Sequence, residues 1–371
     1  MNTKEKHEDA PRASGLEGVV VADTRLSEVD GEKGRLTVAG HDIEVLAATH
    51  GLETTAHLLW TGKLPDAEAL ETTRAAFARG RAAAYALLPR LGAAIEAKDA
   101  MAGLRGAVSQ LATVEAIPEG GDNAWLAGAT GVLAAGWLAQ REKRALLEPD
   151  PKATHAVDLL RLITGKSAEP ARSRALETYL VTVADHGMNA STFTARVVAS
   201  TGADPISAVV AAIGALSGPL HGGAPGPVLD MLDAVGEGDA TPWLERELAA
   251  GRRIMGMGHR IYRVRDPRVV VLERAANALR EAGLGTPRLR VARAVEQAAE
   301  KLLAQKYPDR ALKANVELAT AVLLDAVGIP RELFSAMFAC GRVLGWLAHV
   351  DEQRATGRLI RPDSRYIGPT N

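Results

Sequence analysis

The chain has 371 residues, 47% apolar and 24% charged, enough to bury large cores and to divide into two domains. Lys+Arg 44 against Asp+Glu 45 gives a net charge of −1, which excludes a bulk positive field for nucleic acid or an anionic membrane. The single cysteine, Cys340, excludes an internal disulfide and a multi-cysteine metal site, and it fits a reducing, cytoplasmic setting.

Residues 1–14 are polar, without the apolar core of a signal peptide, and read as a disordered tail. Over residues 15–41, β-branched runs on either side of DGEKG predict a small hairpin. HDIEVLAATHGLETTAHLLWTG then has apolar residues at three- and four-residue spacing and stops before Gly62, a helical pattern. Residues 66–148 are rich in Ala, Leu, Glu and Arg, with breaks at LPRLG, IPEGGD and EPDP. Within them AWLAGATGVLAAGWLA is too short for a membrane span and reads as a helix buried on most sides. The long stretch ALETYLVTVADHGMNASTFTARVVAST is helical, with Gly187 and Asn189 interrupting it.

A glycine-rich loop, SGPLHGGAP, comes next, followed by VLDMLDAV and WLERELAAGRRIMG. A second Gly/His segment, MGMGHRIYRVRDPR, leads into VVVLERAANALREAG, RVARAVEQAAEKLLAQ and ELATAVLLDAVG. ELFSAMFACGRVLGWLAHVDEQRATG is the last helical pattern, and the tail RLIRPDSRYIGPTN carries three arginines. Strand signals are confined to the start, so the fold class is mainly α.

Several familiar motifs fail. LITGKS ends like a phosphate loop but has Leu160 in place of the first glycine. GMGHRI has two of the three Rossmann glycines, in a helical context. HExxH is absent and the nine histidines form no pair at helical metal-ligand spacing, so the sequence implies no metal and no bound cofactor.

The chemistry is carried by His186, His221 and His259, each beside glycine. For any one of them alone, a satisfied core or loop histidine is the commoner reading. Two in separate glycine-rich turns point to a ligand, because glycine admits close backbone approach and histidine offers a donor or a proton near neutral pH. Arg342 lies among Val343, Leu344, Trp346 and Leu347, and an arginine on an apolar helix needs a partner anion. A bidentate carboxylate suits it. These residues describe a site that holds a small polycarboxylate and polarises a carbonyl.

SGPLHGGAP and RIMGMGHRIYRVRDPR resemble the two histidine loops of the citrate synthases. DHGMNASTFTARVVAST resembles the helix that brings a third histidine to oxaloacetate, and FACGRVLGWLAHVDEQRATGRLIRPDSRYIGP resembles the family's C-terminal helix and arginine tail. The N-terminal segment GLEGVVVADTRLSEVDGEKGRLTVAGHDIEVLA matches too, so the resemblance covers nearly the whole chain from Gly15. Residues 66–165 are diverged. The resemblance implies a two-domain, all-α fold, with a large domain from 1–222 and 326–371, a small domain from 223–325, and the active site between them. It implies condensation of acetyl-CoA with oxaloacetate to citrate and free CoA, an acyltransferase reaction with acyl-CoA as co-substrate. It casts His221, His259 and Glu317 as catalytic and His186, Arg268, Arg342 and Arg361 as oxaloacetate ligands. Gly256, Met257, Gly258 and Arg260 become the CoA loop. Arg361 would reach the neighbouring subunit's site, which makes the protein a homodimer.

One departure bears on the base. The family's usual segment is like PNVDFYSG, whereas this chain reads ANVELATA, with Glu317 for aspartate and Leu318 for an aromatic residue. The extra methylene moves the carboxylate by about 1 Å, a displacement that can cost about 100-fold in rate. Either the surroundings have shifted to suit Glu317, as in the shorter bacterial branch often called second citrate synthases, or the protein is a weakened or non-catalytic binding homologue. Propionyl-CoA, giving 2-methylcitrate, is the alternative acyl donor, since one methylene is worth only about 1–3 kcal/mol of discrimination.

Overall fold

The computed structural model describes residues 15–16, 18–114, 122–222, 225–258, 262, 264–308, 310 and 312–369. Strands β1 (Ser27–Asp30), β2 (Arg35–Val38) and β3 (His41–Asp42) form one antiparallel sheet in that order. Leu36 and Val38 of β2 point inward, so the hairpin lies on the protein with one face. The third, two-residue strand has no signal of its own in the sequence. It ends on Asp42, whose side chain accepts from the Glu44 N–H and caps α1 (Ile43–Thr49).

The helical run over residues 41–62 is two helices, α1 and α2 (Leu52–Thr61). The Leu52 N–H donates to Glu177 Oε1 at 3.2 Å, so a distant carboxylate satisfies this helix start and the chain turns there. α3 (Ala67–Leu87), α4 (Ala100–Gln110) and α5 (Asn123–Arg141) follow, and α5 packs along α3. Every residue from Ala124 to Ala139 of α5 is buried, as its uniformly apolar sequence requires. α6 (His155–Thr164) and α7 (Pro170–Thr182) precede a seven-residue break at 183–189 and α8 (Ala190–Ser200). α9 (Pro205–Leu216), α10 (Pro225–Val235) and α11 (Thr241–Ala249) continue the chain, then α12 (Pro267–Glu281), α13 (Pro287–Lys306) and α14 (Val316–Val327). α12 and α13 meet α14, and α10 bridges α13 and α14.

The last helix, α15 (Phe334–Thr356), organises the rest. It packs against α2, α5, α7, α8 and α9. It is the one helix among the described residues long and apolar enough to cross a membrane, but most of it is buried inside the protein, which accounts for its composition. The mainly α class therefore holds, with one small sheet at the start of the described chain.

Candidate active site

The break between α7 and α8 supplies the first wall. Asn189 caps α8: its Oδ1 accepts from the Thr192 N–H at 3.1 Å and lies 2.8 Å from Ser191 Oγ. His221 reaches this helix start from the loop after α9. The loop closes tightly, with the His221 and Gly222 N–H groups both donating to Gly218 O, at 3.0 and 3.1 Å. A Cβ on Gly222 would lie 2.3 Å from Leu216 O, so only glycine permits this turn.

His221 Nε2 accepts from the Ser191 N–H at 3.3 Å and from the Ser191 hydroxyl at 2.8 Å, while Ser191 Oγ itself accepts from Trp346 Nε1–H of α15 at 3.1 Å. A backbone N–H aimed at Nε2 makes that nitrogen the acceptor and assigns the proton to Nδ1. Burial, then the charge of Arg342, lowers the His221 pKa to about 4, so the ring is neutral at pH 7. Nδ1–H has no protein partner among the described residues.

Arg342 is 1% exposed in the middle of α15. Its Nε–H donates to Val183 O at 2.7 Å, and its guanidinium stands 4.8 Å over the Phe338 ring. Its terminal nitrogens meet no carboxylate among the described residues. Burial, opposed by Asp185 and reinforced by Arg268, lowers its pKa to about 10, so it remains charged. The partner anion expected from the sequence is thus not a side chain in contact with it.

Arg268 opens α12 and is 4% exposed. Asp266, the N-cap, accepts from its backbone N–H at 3.0 Å, its Nε–H at 3.0 Å and its Nη2–H at 2.7 Å. Burial would lower the Arg268 pKa, but Asp266 outweighs it and the pKa is raised. His186, nearly buried in the 183–189 break, has Nε2 3.0 Å from Tyr262 Oη, and burial raises the pKa of that phenol.

Glu317 lies in the first turn of α14, where the helix dipole favours a carboxylate. Asn315 caps the helix through the Glu317 N–H at 3.0 Å, and its Nδ2–H lies 3.4 Å from Glu317 Oε2. Burial raises the Glu317 pKa, against Asn315 and then Arg268, which lower it. The second glycine segment is sewn to this helix start. Asn315 N–H donates to Gly256 O at 2.9 Å, Gly258 N–H to Lys313 O at 2.7 Å, and Met257 bridges Ala314. Gly256 has φ +76° and a Cβ there would lie 2.7 Å from Leu318 Cβ. The candidate loop residues Gly256, Met257 and Gly258 are therefore fixed beside the candidate base.

His259 and Arg260 lie outside the described residues. Arg361 stands exposed in the stretch after α15 and joins none of these contacts. Arg342, His221, Arg268 and Glu317 form one electrostatic set: Arg342 acts on His221, Arg268 on Arg342, and Arg268 on Glu317. Tyr262, Ser191, Asp266 and Asn315 were not singled out by sequence. The Asp-Pro and Asn-Val-Glu starts of α12 and α14 are cap signals that could have marked the last two.

The family profile "Citrate synthase, C-terminal domain" matches residues 15–363. Over 202 residues the chain is 52% identical to a Mycobacterium tuberculosis protein named "Putative citrate synthase 2", a match that spans about half of each (54% of this chain and 53% of the relative). It is 36% identical over 368 residues, 95% of each chain, to the citrate synthase of Haloferax volcanii. Among solved structures it resembles the citrate synthase of Thermotoga maritima, with TM-score 0.81, 33% identity and 96% of each chain covered. It also resembles that of Thermoplasma acidophilum, solved with carboxymethyl coenzyme A and oxaloacetate, with TM-score 0.84, 28% identity and 96% of each chain covered.

Proposed function

Because the chain belongs to the citrate synthase family of acyltransferase-type enzymes, we propose that it condenses acetyl-CoA with oxaloacetate to give citrate and free CoA. One observation carries this reading. Among the described residues, a charged, buried Arg342 has no carboxylate in contact and stands within electrostatic reach of a neutral His221 whose Nδ1–H has no partner. That is a receptor for a carboxylate beside a donor for a carbonyl oxygen.

The steps follow from the groups. Glu317 takes a proton from the α-carbon of the acyl-CoA while His221 Nδ1–H hydrogen-bonds the thioester oxygen, so the negative charge of the enolate is stabilised as it forms. The neutral imidazole donates this hydrogen bond and keeps its proton. The enolate carbon attacks the oxaloacetate carbonyl, and the oxygen of that carbonyl takes a proton, for which the family resemblance nominates His259. Water then cleaves the thioester, releasing citrate and CoA. His186, Arg268 and Arg342 hold the oxaloacetate carboxylates. Arg361, exposed in the stretch after α15, serves the neighbouring subunit's site in a homodimer, as the family resemblance implies. The 223–325 segment closes as a small domain over the bound substrates and excludes water.

The Glu317 surroundings favour a working base. Burial raises its pKa, which increases its basicity, and the glycine segment fixed to α14 ties the candidate CoA loop to the same helix start. Leu318 is 4% exposed, packs under Gly256, and lines a cavity of about 510 Å³ between α12, α13 and α14. Leucine is smaller than the aromatic residue it replaces, so this position does not select against propionyl-CoA, and the acetyl-CoA reading rests on the citrate synthases that the chain resembles.

The test is free CoA release from acetyl-CoA or propionyl-CoA, with and without oxaloacetate. Release that requires oxaloacetate and is faster with acetyl-CoA is the expected result. Faster release with propionyl-CoA makes the enzyme a 2-methylcitrate synthase. No release from a protein that still binds oxaloacetate would overturn catalysis and leave a binding protein.

A further inference from the structure

The residues beside His186 are held by a buried polar chain that the reaction steps do not use. Asp185 is fully buried; its Oδ2 accepts from the Ser27 hydroxyl at 2.5 Å and lies 3.3 Å from His349 Nε2. The same Ser27 oxygen accepts from the Gly187 N–H at 2.8 Å. One hydroxyl on β1 thus grips both neighbours of His186. From the other side, α15 holds Val183 O through Arg342 Nε–H and Ala184 O through the Gly345 N–H at 3.1 Å. α15 approaches as closely as glycine allows: a Cβ on Gly345 would lie 2.7 Å from Asp185 Oδ1.

The chain continues inward. Arg196 Nη1–H donates to His349 Nδ1 at 3.0 Å. Arginine only donates, so Nδ1 is the acceptor and His349 turns Nε2–H toward Asp185. Arg196 is 2% exposed and is itself fixed by Gln353 Oε1 at 3.0 Å and Glu352 Oε2 at 2.7 Å. Glu352 Oε1 accepts from the Arg25 N–H at 3.0 Å, which returns the chain to the strand that carries Ser27. The closed circuit joins the hairpin, the 183–189 break, α8 and α15. Asp185 Oδ1 has no hydrogen-bond partner among the described residues, although it is buried. A buried carboxylate left half-satisfied is costly, and the nearby charge of Arg342 favours its ionised form.

We propose that Asp185, oriented by Ser27 and by the His349–Arg196 pair, is a positioning residue for oxaloacetate: it fixes the His186 backbone and balances the charge of Arg342 without touching it. A direct Asp185–Arg342 ion pair would occupy the guanidinium needed by the substrate. A carboxylate held one layer behind it leaves the terminal nitrogens available. The inference rests on the oxaloacetate reading above.

The test separates the two. Oxaloacetate binding is measured by calorimetry without acyl-CoA, and KM for each substrate is measured by CoA release, for Ser27→Ala, Ser27→Thr and Asp185→Asn. Ser27→Ala should weaken oxaloacetate binding about 10-fold and Asp185→Asn about 100-fold, with KM for acyl-CoA within about twofold of the parent. Ser27→Thr, which keeps the hydroxyl, should restore binding. Equal losses for both substrates, or a fall in melting temperature with unchanged oxaloacetate affinity in the folded fraction, would overturn the proposal. Ser27 lies on a partly exposed strand, so its variants read the effect even if Asp185→Asn does not fold. A parent protein that binds oxaloacetate without releasing CoA defeats the condensation and not the positioning role.

Discussion

Arg81 and Arg342 are each 1% exposed, yet the molecule treats them oppositely. Arg81, on α3, pairs with Asp158 at 2.8 Å and donates through Nη2 to Asp150 O and Ala153 O, both at 2.9 Å. Arg342 donates to Val183 O and, among the described residues, meets no carboxylate. Burial lowers the pKa of both, so both carry the desolvation cost of a buried cation. Only Arg81 has a carboxylate in contact among the described residues; Asp185 offsets the charge of Arg342 without touching it. The difference separates a charge that holds helices together from a charge kept for a ligand.

Substitution should sharpen that contrast. Arg342→Leu removes two charge-assisted hydrogen bonds to a substrate carboxylate, each worth about 1.5–3 kcal/mol. The expected loss in kcat/KM for oxaloacetate is about 1,000-fold, with the melting temperature held or raised. A large fall in melting temperature would show that Arg342 is structural after all.

Glu317 gives the next largest effect. Glu317→Gln should lower kcat about 100- to 1,000-fold while oxaloacetate affinity stays near the parent value. The pH dependence has a definite sign. The base works when deprotonated, and burial raises its pKa, so activity should rise with pH through a midpoint above the ordinary glutamate range. A plot of kcat/KM for acyl-CoA against pH, flat down to the ordinary range, would assign the proton transfer to another group.

Arg81→Met is the counterpart of Arg342→Leu. It strands Asp158, which retains Arg161 at 2.7 Å, so the cost should be about 3 kcal/mol of stability by denaturant unfolding. Activity per folded molecule should be unchanged. If activity falls while stability holds, the two arginines are not the opposites drawn here.

The parts of the site legible in sequence are those whose signal is local. SGPLHGGAP shows a histidine in a turn that only glycine can make, and Gly222 bears this out against Leu216 O. Arg342 was legible as a charge in an apolar run, although its contact proved to be a carbonyl. What escaped was set by distance along the chain. Ser27 meets Asp185 across 158 residues, His349 meets Asp185 across 164, and Arg196 meets His349 across 153. None of these residues stands out among its neighbours, and only packing of α15 against α8 and the hairpin brings them together. The division of α1 from α2 has the same cause, since Glu177 lies 125 residues from the N–H it accepts.

The smallest expected effect lies again in the α2–α3–α6 region. His155, the first residue of α6, is 1% exposed with both ring nitrogens unpartnered, tilted against Phe77 of α3 at 5.1 Å. Burial, then Arg81, lowers its pKa to about 3. Glu53 of α2 accepts from its backbone N–H at 2.7 Å, a Cβ on Gly131 of α5 would lie 2.9 Å from ring Cε1, and among the described residues no acceptor meets either ring nitrogen. The unfolded chain takes up this proton near pH 6.5, while the folded chain resists until about pH 3. Stability is therefore fully present above pH 6.5 and is lost as pH falls toward 3, by about 2–3 kcal/mol at pH 4.5. His155→Phe removes the titration and keeps a ring against Phe77. Relative to the parent, the variant should gain that amount between pH 7 and pH 4.5 in urea unfolding, with oxaloacetate-dependent CoA release at pH 7 unchanged. Parallel stability curves for the two proteins would mean that the folded state accommodates a charged His155. The region around Arg81 would then be as open to an added charge as the cleft around Arg342.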